Sequence, residues 1–204
     1  MTEVLNPTQF PEDADKPFCI DRRANIYFIN AYARLKGEPE ILKGSPDGKV
    51  SSIAAGNGAQ QDGQAIFRHI NSAAWSPDGS LYIRDDQLIR RVSPDGTVST
   101  LPHSEDAAMA EDGEERLVRT MGMAADTAGN VSVANYWKRA VMKVTPDGQL
   151  VTILTSNWPC VPVGVAISGG NIYVLDRAHS VGVYSSAFCG KSTEWRRFNS
   201  ARRR

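Results

Sequence analysis

Short stretches with a period-two apolar alternation are joined along this chain by one recurring turn phrase. Leu88, Arg90 and Val92 lead into Ser93-Pro94-Asp95-Gly96, and Val98 and Thr100 leave it. The phrase returns at Ser45-Pro46-Asp47-Gly48 and Ser76-Pro77-Asp78-Gly79, and with one change at Thr145-Pro146-Asp147-Gly148. Ser or Thr suits the first position of a type I turn, Pro arrives with φ already set, and Gly closes the turn where φ is positive. The reading is strand, tight turn, strand, used repeatedly.

Four copies of a larger unit can be followed. The turns between third and fourth strands start at 45, 93 and 145, so they stand 48 and 52 residues apart. Tyr27, Tyr82 and Tyr173 fall at one position of the unit, with Ser132 in the third copy. A period of about 40–50 residues with four short strands in each is the signature of a propeller blade. The predicted fold class is therefore all-β, a β-propeller of four-stranded antiparallel blades at about 17–55, 70–101, 120–154 and 162–198. In the last blade, the third strand is expected at 181–184 and the fourth at 194–198. Residues 1–16 are polar and Pro-containing and predict a flexible lead, and 199–204 form a basic tail. No stretch carries a helical period of useful length.

Composition narrows the function classes. The 204 residues suffice for a full core, and 23 basic residues balance 23 acidic ones. That balance carries no strong nucleic-acid signal. No run approaches the roughly 18 apolar residues of a membrane span. The first residues have neither a basic nor an apolar signal region, which predicts a soluble, cytoplasmic protein; a chain cut from a longer secreted parent would look the same. Cys19, Cys160 and Cys189 are far apart and odd in number, so they are expected as buried or bystander thiols.

Within that frame the residues resemble a family. Gly56-Asn57-Gly58, Asp62-Gly63, Ala65-Ile66-Phe67, 73–83 and 89–101 look like an NHL repeat with its inter-blade segment, and 122–154 and 163–176 look like two more. The resemblance covers roughly 17–184. It implies a binding scaffold for a protein or small-molecule ligand, because such propellers serve as scaffolds, and more distantly as lyases or relatives of lactonases. NHL propellers usually close with about six blades, and four are visible here. Either the chain is a fragment, or its ends close it unusually, or a partner completes it; an open arc would self-associate through its bare sheet edge.

Alternating strand direction sorts the loops onto two faces. The Ser-Pro-Asp-Gly turns share one, and the longer second-to-third loops and inter-blade connections share the other. Longer loops offer more side chains, so the site is expected there. The first polar positions of those loops are Asn30, Asp85, Asn135 and Asp176. They suggest a polar ring around a channel, or strand ends at which Asn and Asp bond their own backbone. Trp137, between Tyr136 and Lys138, adds an aromatic contact residue to this binding set. His179 follows on the same rim and is the candidate general acid or base.

The second reading is a hydrolase or lyase of the gluconolactonase-like kind, acting on a small lactone or ester-like substrate. Those lactonases hold a divalent cation such as calcium through a Glu, Asn and Asp set. Asn71, before 72–79, is similar to their Asn. Met121 stands where the resemblance expects the Asp, and no Glu lies near Lys16-Pro17-Phe18. Asn71 is thus the one metal-ligand candidate, and no cofactor is expected outside that reading.

Overall fold

The structure is a computed structural model that describes residues 14–30, 40–54, 67, 70–85, 88–102, 120–157, 159–178 and 193–199. Every regular element among them is a β-strand. The chain divides into two compact units, Met1–Thr100 and Leu101–Arg204.

The first unit holds two four-stranded antiparallel sheets. One runs β1 (Ala14–Ile20), β2 (Ile26–Asn30), β3 (Glu40–Gly44), β4 (Val50–Ala54), each strand beside its sequence neighbour. The other runs β5 (Ile70–Trp75), β6 (Leu81–Asp85), β7 (Leu88–Val92), β8 (Val98–Thr100) in the same way. β1 begins at Ala14, three residues ahead of the expected blade start at Pro17.

In the second unit, β9 (Thr120–Ala125), β10 (Val131–Asn135), β11 (Ala140–Val144) and β12 (Leu150–Thr155) form a third such sheet. Among the described residues the last sheet has three strands, β13 (Cys160–Ser168), β14 (Asn171–Ala178) and β15 (Thr193–Asn199). Here the strand assignment needs correction. β15 was expected to be a fourth strand, yet it pairs directly with β14. Register identifies its role. The second-strand residues Tyr27, Tyr82 and Ser132 face Lys43, Arg91 and Lys143 on the third strands, and Tyr173 faces Arg197 on β15. β15 therefore occupies the third-strand place, while 181–184 lie outside the described residues. A short alternating run announces a strand but not its neighbour, because pairing is a long-range choice.

The turns are built as their residues dictate. In Ser93-Pro94-Asp95-Gly96 the Gly96 amide donates to Ser93 O at 2.9 Å, and Gly96 has φ +88°. The Asp95 carboxylate then accepts from Ser93 Oγ at 2.8 Å and from the Thr97 amide at 3.0 Å. The first turn of the first sheet does the same job with other letters. Asp21 accepts from the amides of Arg23 and Asn25 at 2.8 and 2.9 Å, and Ala24 takes the left-handed position at φ 59°.

Each unit buries its own apolar cluster. In the first, Tyr27, Ile41, Phe67, Leu81, Ile83 and Val98 pack together. In the second, Ala134, Val141, Val165, Ile172 and Val174 do so. The two sheets of the second unit approach closely at glycine. A Cβ on Gly122 would stand 2.9 Å from Gly164 Cα and 3.1 Å from Val163 O.

Cys19 is a free, partly buried thiol, but Cys160 is disulfide-bonded. This departs from the expectation of three thiols. Sequence separation alone does not forbid a bridge, since folding decides which cysteines meet.

Candidate functional site

All four first strands carry register shifts, those of β1 falling between Ala14 and Pro17 and between Pro17 and Cys19, and in the other three a single extra residue stands at the same place. Ile70 pairs with Asp85 and Ser72 with Arg84, leaving Asn71 as the extra residue of a bulge. Thr120 pairs with Asn135 and Gly122 with Ala134, leaving Met121. Pro162 pairs with Asp176 and Gly164 with Leu175, leaving Val163. A bulge bends the strand and re-aims the extra side chain. Asn71 is exposed, Met121 is 50% exposed, and Val163 is half-buried. Asn71 and Met121, compared above only through sequence motifs, thus hold the same register position in their sheets.

The residues paired just before each bulge are the polar positions singled out at the second-strand ends. Asp85 is buried, and its Oδ2 accepts from Arg90 Nε at 3.0 Å, both side chains being almost fully enclosed. Arg90 also donates to Thr100 Oγ1 at 3.2 Å and lies 6.0 Å from the Phe67 ring centre. Asp85 therefore ties β6 to β7 and β8.

In the second unit the structure brings Asn135 and Asp176 into one network. Asn135 Oδ1 accepts from the Lys138 amide at 2.8 Å, fixing the turn from Tyr136 to Arg139. Arg139 sits at φ 50°, and its carbonyl accepts from the Ser156 amide at 2.7 Å. Ser156 Oγ donates to Asp176 Oδ1 at 2.7 Å. Arg177 lies 5.9 Å from the Tyr136 ring centre, close enough for cation–π attraction. Trp137 is 62% exposed at the tip of this turn. Asn135, Ser156 and Asp176 are all buried. Asn30 closes β2, but its side chain and all of His179 lie outside the described residues.

Sequence reasoning missed Arg90 and Ser156, the partners that hold Asp85 and Asp176. Arg90 had a signal: a cation on the strand next to an acidic strand end. Ser156 had none, standing 20 residues from Asp176.

The bulge positions can be tested against a divalent cation. A hard ion needs several oxygen ligands. The bulges present one amide, one thioether and one alkyl group, and the described residues contain no group of three His, Cys, Asp or Glu able to hold a metal. Met121 offers a thioether where the resemblance expects an Asp, so that position does not fit an oxygen-ligated cation.

Repeated antiparallel sheets with strands in sequence order define the class: the chain has the fold of β-propeller blades. No protein-family model matches the sequence, and no curated protein matches it. Solved structures do match. A luciferin-regenerating enzyme is similar over 97% of this chain and 65% of its own, at 16% identity and TM-score 0.55. Regucalcin from Agrobacterium tumefaciens, described as a calcium-binding protein, is similar over 89% of this chain and 59% of its own, at 18% identity and TM-score 0.54. The gluconolactonase XC5397 from Xanthomonas campestris covers 78% of this chain and 53% of its own, at 17% identity and TM-score 0.50. The chain thus spans between about half and two thirds of the length of these three structures. At these identities the likeness is one of fold.

Proposed function

We propose that the chain is a hydrolase-type propeller of the gluconolactonase-like kind, acting on a small lactone or ester-like substrate. The observation that carries this is the first-strand bulge exposing Asn71, at the position that resembles the lactonase Asn. The similarity to a luciferin-regenerating enzyme and a gluconolactonase supports it. An exposed amide there orients a substrate carbonyl by hydrogen bonding. His179, in the second unit, is a separate candidate for proton transfer, because an imidazole can both take and give a proton near neutral pH. Asn30 and Asp85 in the first unit, and separately Asn135 and Asp176 in the second, are the proposed binding residues of their own units. Met121 supplies no oxygen donor at the position of the expected Asp, so no step is routed through a metal.

The test is proton release from glucono-δ-lactone and from 4-nitrophenyl acetate by the purified chain. Turnover above the uncatalysed rate is expected, reduced at least tenfold by Asn71→Ala and unchanged within twofold by calcium or a chelator. Absence of turnover with both substrates overturns the reading.

One observation favours a binding scaffold of the NHL kind instead. Trp137 is a large aromatic side chain, 62% exposed between Tyr136 and Lys138, and exposed aromatics beside cations are common contact residues. In that reading Asn71→Ala has no effect on partner binding. The Cys160 disulfide weighs towards an oxidising compartment over the cytoplasm expected from the N-terminal residues.

A further inference from the structure

The first unit contains a cleft of about 730 Å³ on the side of the tight turns. It opens between the turn after β1, the turn after β5 and the turn after β7. Arg22, Arg23, Lys43 and Trp75 line it together with Asp21 and Tyr27. The Arg22 guanidinium lies 6.0 Å from the Trp75 ring centre, so one wall pairs a cation with an aromatic face.

The charges in the cleft are not equivalent. The acidic groups are committed to their own turns. Asp21 accepts from the Arg23 and Asn25 amides, Asn25 Nδ2 and the Tyr27 hydroxyl. Asp78, also on the lining, accepts from the Ser80 amide and hydroxyl and pairs with Arg91 at 3.3 Å. Asp95 caps its turn through Ser93 and Thr97. By contrast, among the described residues Arg22, Arg23 and Lys43 enter no salt bridge. Carboxylates saturated by local donors have little capacity left for a ligand, while unpaired guanidinium and ammonium groups keep theirs.

We propose that this cleft binds a small aromatic anion, with its acidic group on Arg22, Arg23 and Lys43 and its ring beside Trp75. A planar guanidinium can take two oxygens of one carboxylate or phosphate, and Lys43 adds a point charge from β3. The Trp75 face supplies stacking area that an inorganic ion cannot use. This site is independent of the proposed hydrolase activity, since it uses none of the same residues.

Isothermal titration of the whole chain with phenyl phosphate tests the proposal, with inorganic phosphate and phenol as the two halves of the probe. Saturable binding of phenyl phosphate is expected, at least tenfold tighter than either half. Arg22→Gln and Lys43→Gln should each weaken it at least fivefold. Arg23→Gln, at an exposed turn position, repeats the test where folding is least at risk. Lys49→Gln, an exposed lysine outside the lining, should leave binding unchanged. The proposal is overturned if phenyl phosphate does not saturate, if all three cleft variants bind like the parent, or if inorganic phosphate binds as tightly, which would mean an adventitious ion only.

Discussion

Arg90 Nε and Asp85 Oδ2 form an ion pair at 3.0 Å that is almost wholly removed from solvent, linking the two strands that flank residues 86 and 87. A buried pair owes its importance to what happens when it is broken. Removing one partner leaves a charge in a poorly solvating interior, at a cost of about 3–5 kcal/mol. Arg90→Ala should lower stability by that order, read as a fall in the urea midpoint. Replacing both residues with Leu and Met should cost less than the single change; equal or greater loss would show that the pair does not depend on charge compensation.

Gly122 is predicted to tolerate no side chain. Its Cβ would meet the backbone of Val163, Gly164 and Val165 at 2.9–3.3 Å, and backbone cannot swing aside as a flexible side chain does. Gly122→Ala should destabilise the chain by about 1–3 kcal/mol, measured by thermal unfolding. An unchanged melting temperature would contradict the close packing of β9 on β13.

Acid should loosen the turns. Partial burial alone would raise the Asp21 pKa, but the hydrogen bonds from Asn25, the Arg23 amide and Tyr27 hold its carboxyl below the ordinary 3.8. Asp78 is lowered in the same way, with burial opposing its hydrogen bonds, and Asp95 is lowered first by the Thr97 amide. A depressed folded pKa means the unfolded state binds protons first. Stability is therefore fully present above about pH 4 and is lost as pH falls through 3.8 towards the folded values. In acid titrations followed by circular dichroism, Asp21→Asn should be less stable than the parent at pH 7 and nearly equal to it at pH 2. A gap that stays constant with pH would refute the linkage.

Much of the fold was legible because its causes are local. A Pro with preset φ, a Gly able to take positive φ and an Asp that bonds the following amides make a turn wherever they occur together, so Ser93 to Gly96 announces itself. The candidate site was legible only in part. Asp85 and Asp176 were visible as polar strand ends, but their burial and their partners Arg90 and Ser156 were not.

What the amino-acid order determined was the sequence of strands and tight turns, together with their period, because turn chemistry and alternation act over a few residues. Tertiary structure alone decided three things. Pairing made Thr193–Asn199 the third strand of its sheet. Register made Asn71 and Met121 equivalent bulge residues. Packing opened a cleft lined by Arg22, Arg23 and Lys43 together with Asp21, Asp78 and Asp95, beside the turns that sequence reasoning had set aside as the less functional face. Each depends on residues far apart in the chain meeting in space, and no local preference encodes that meeting.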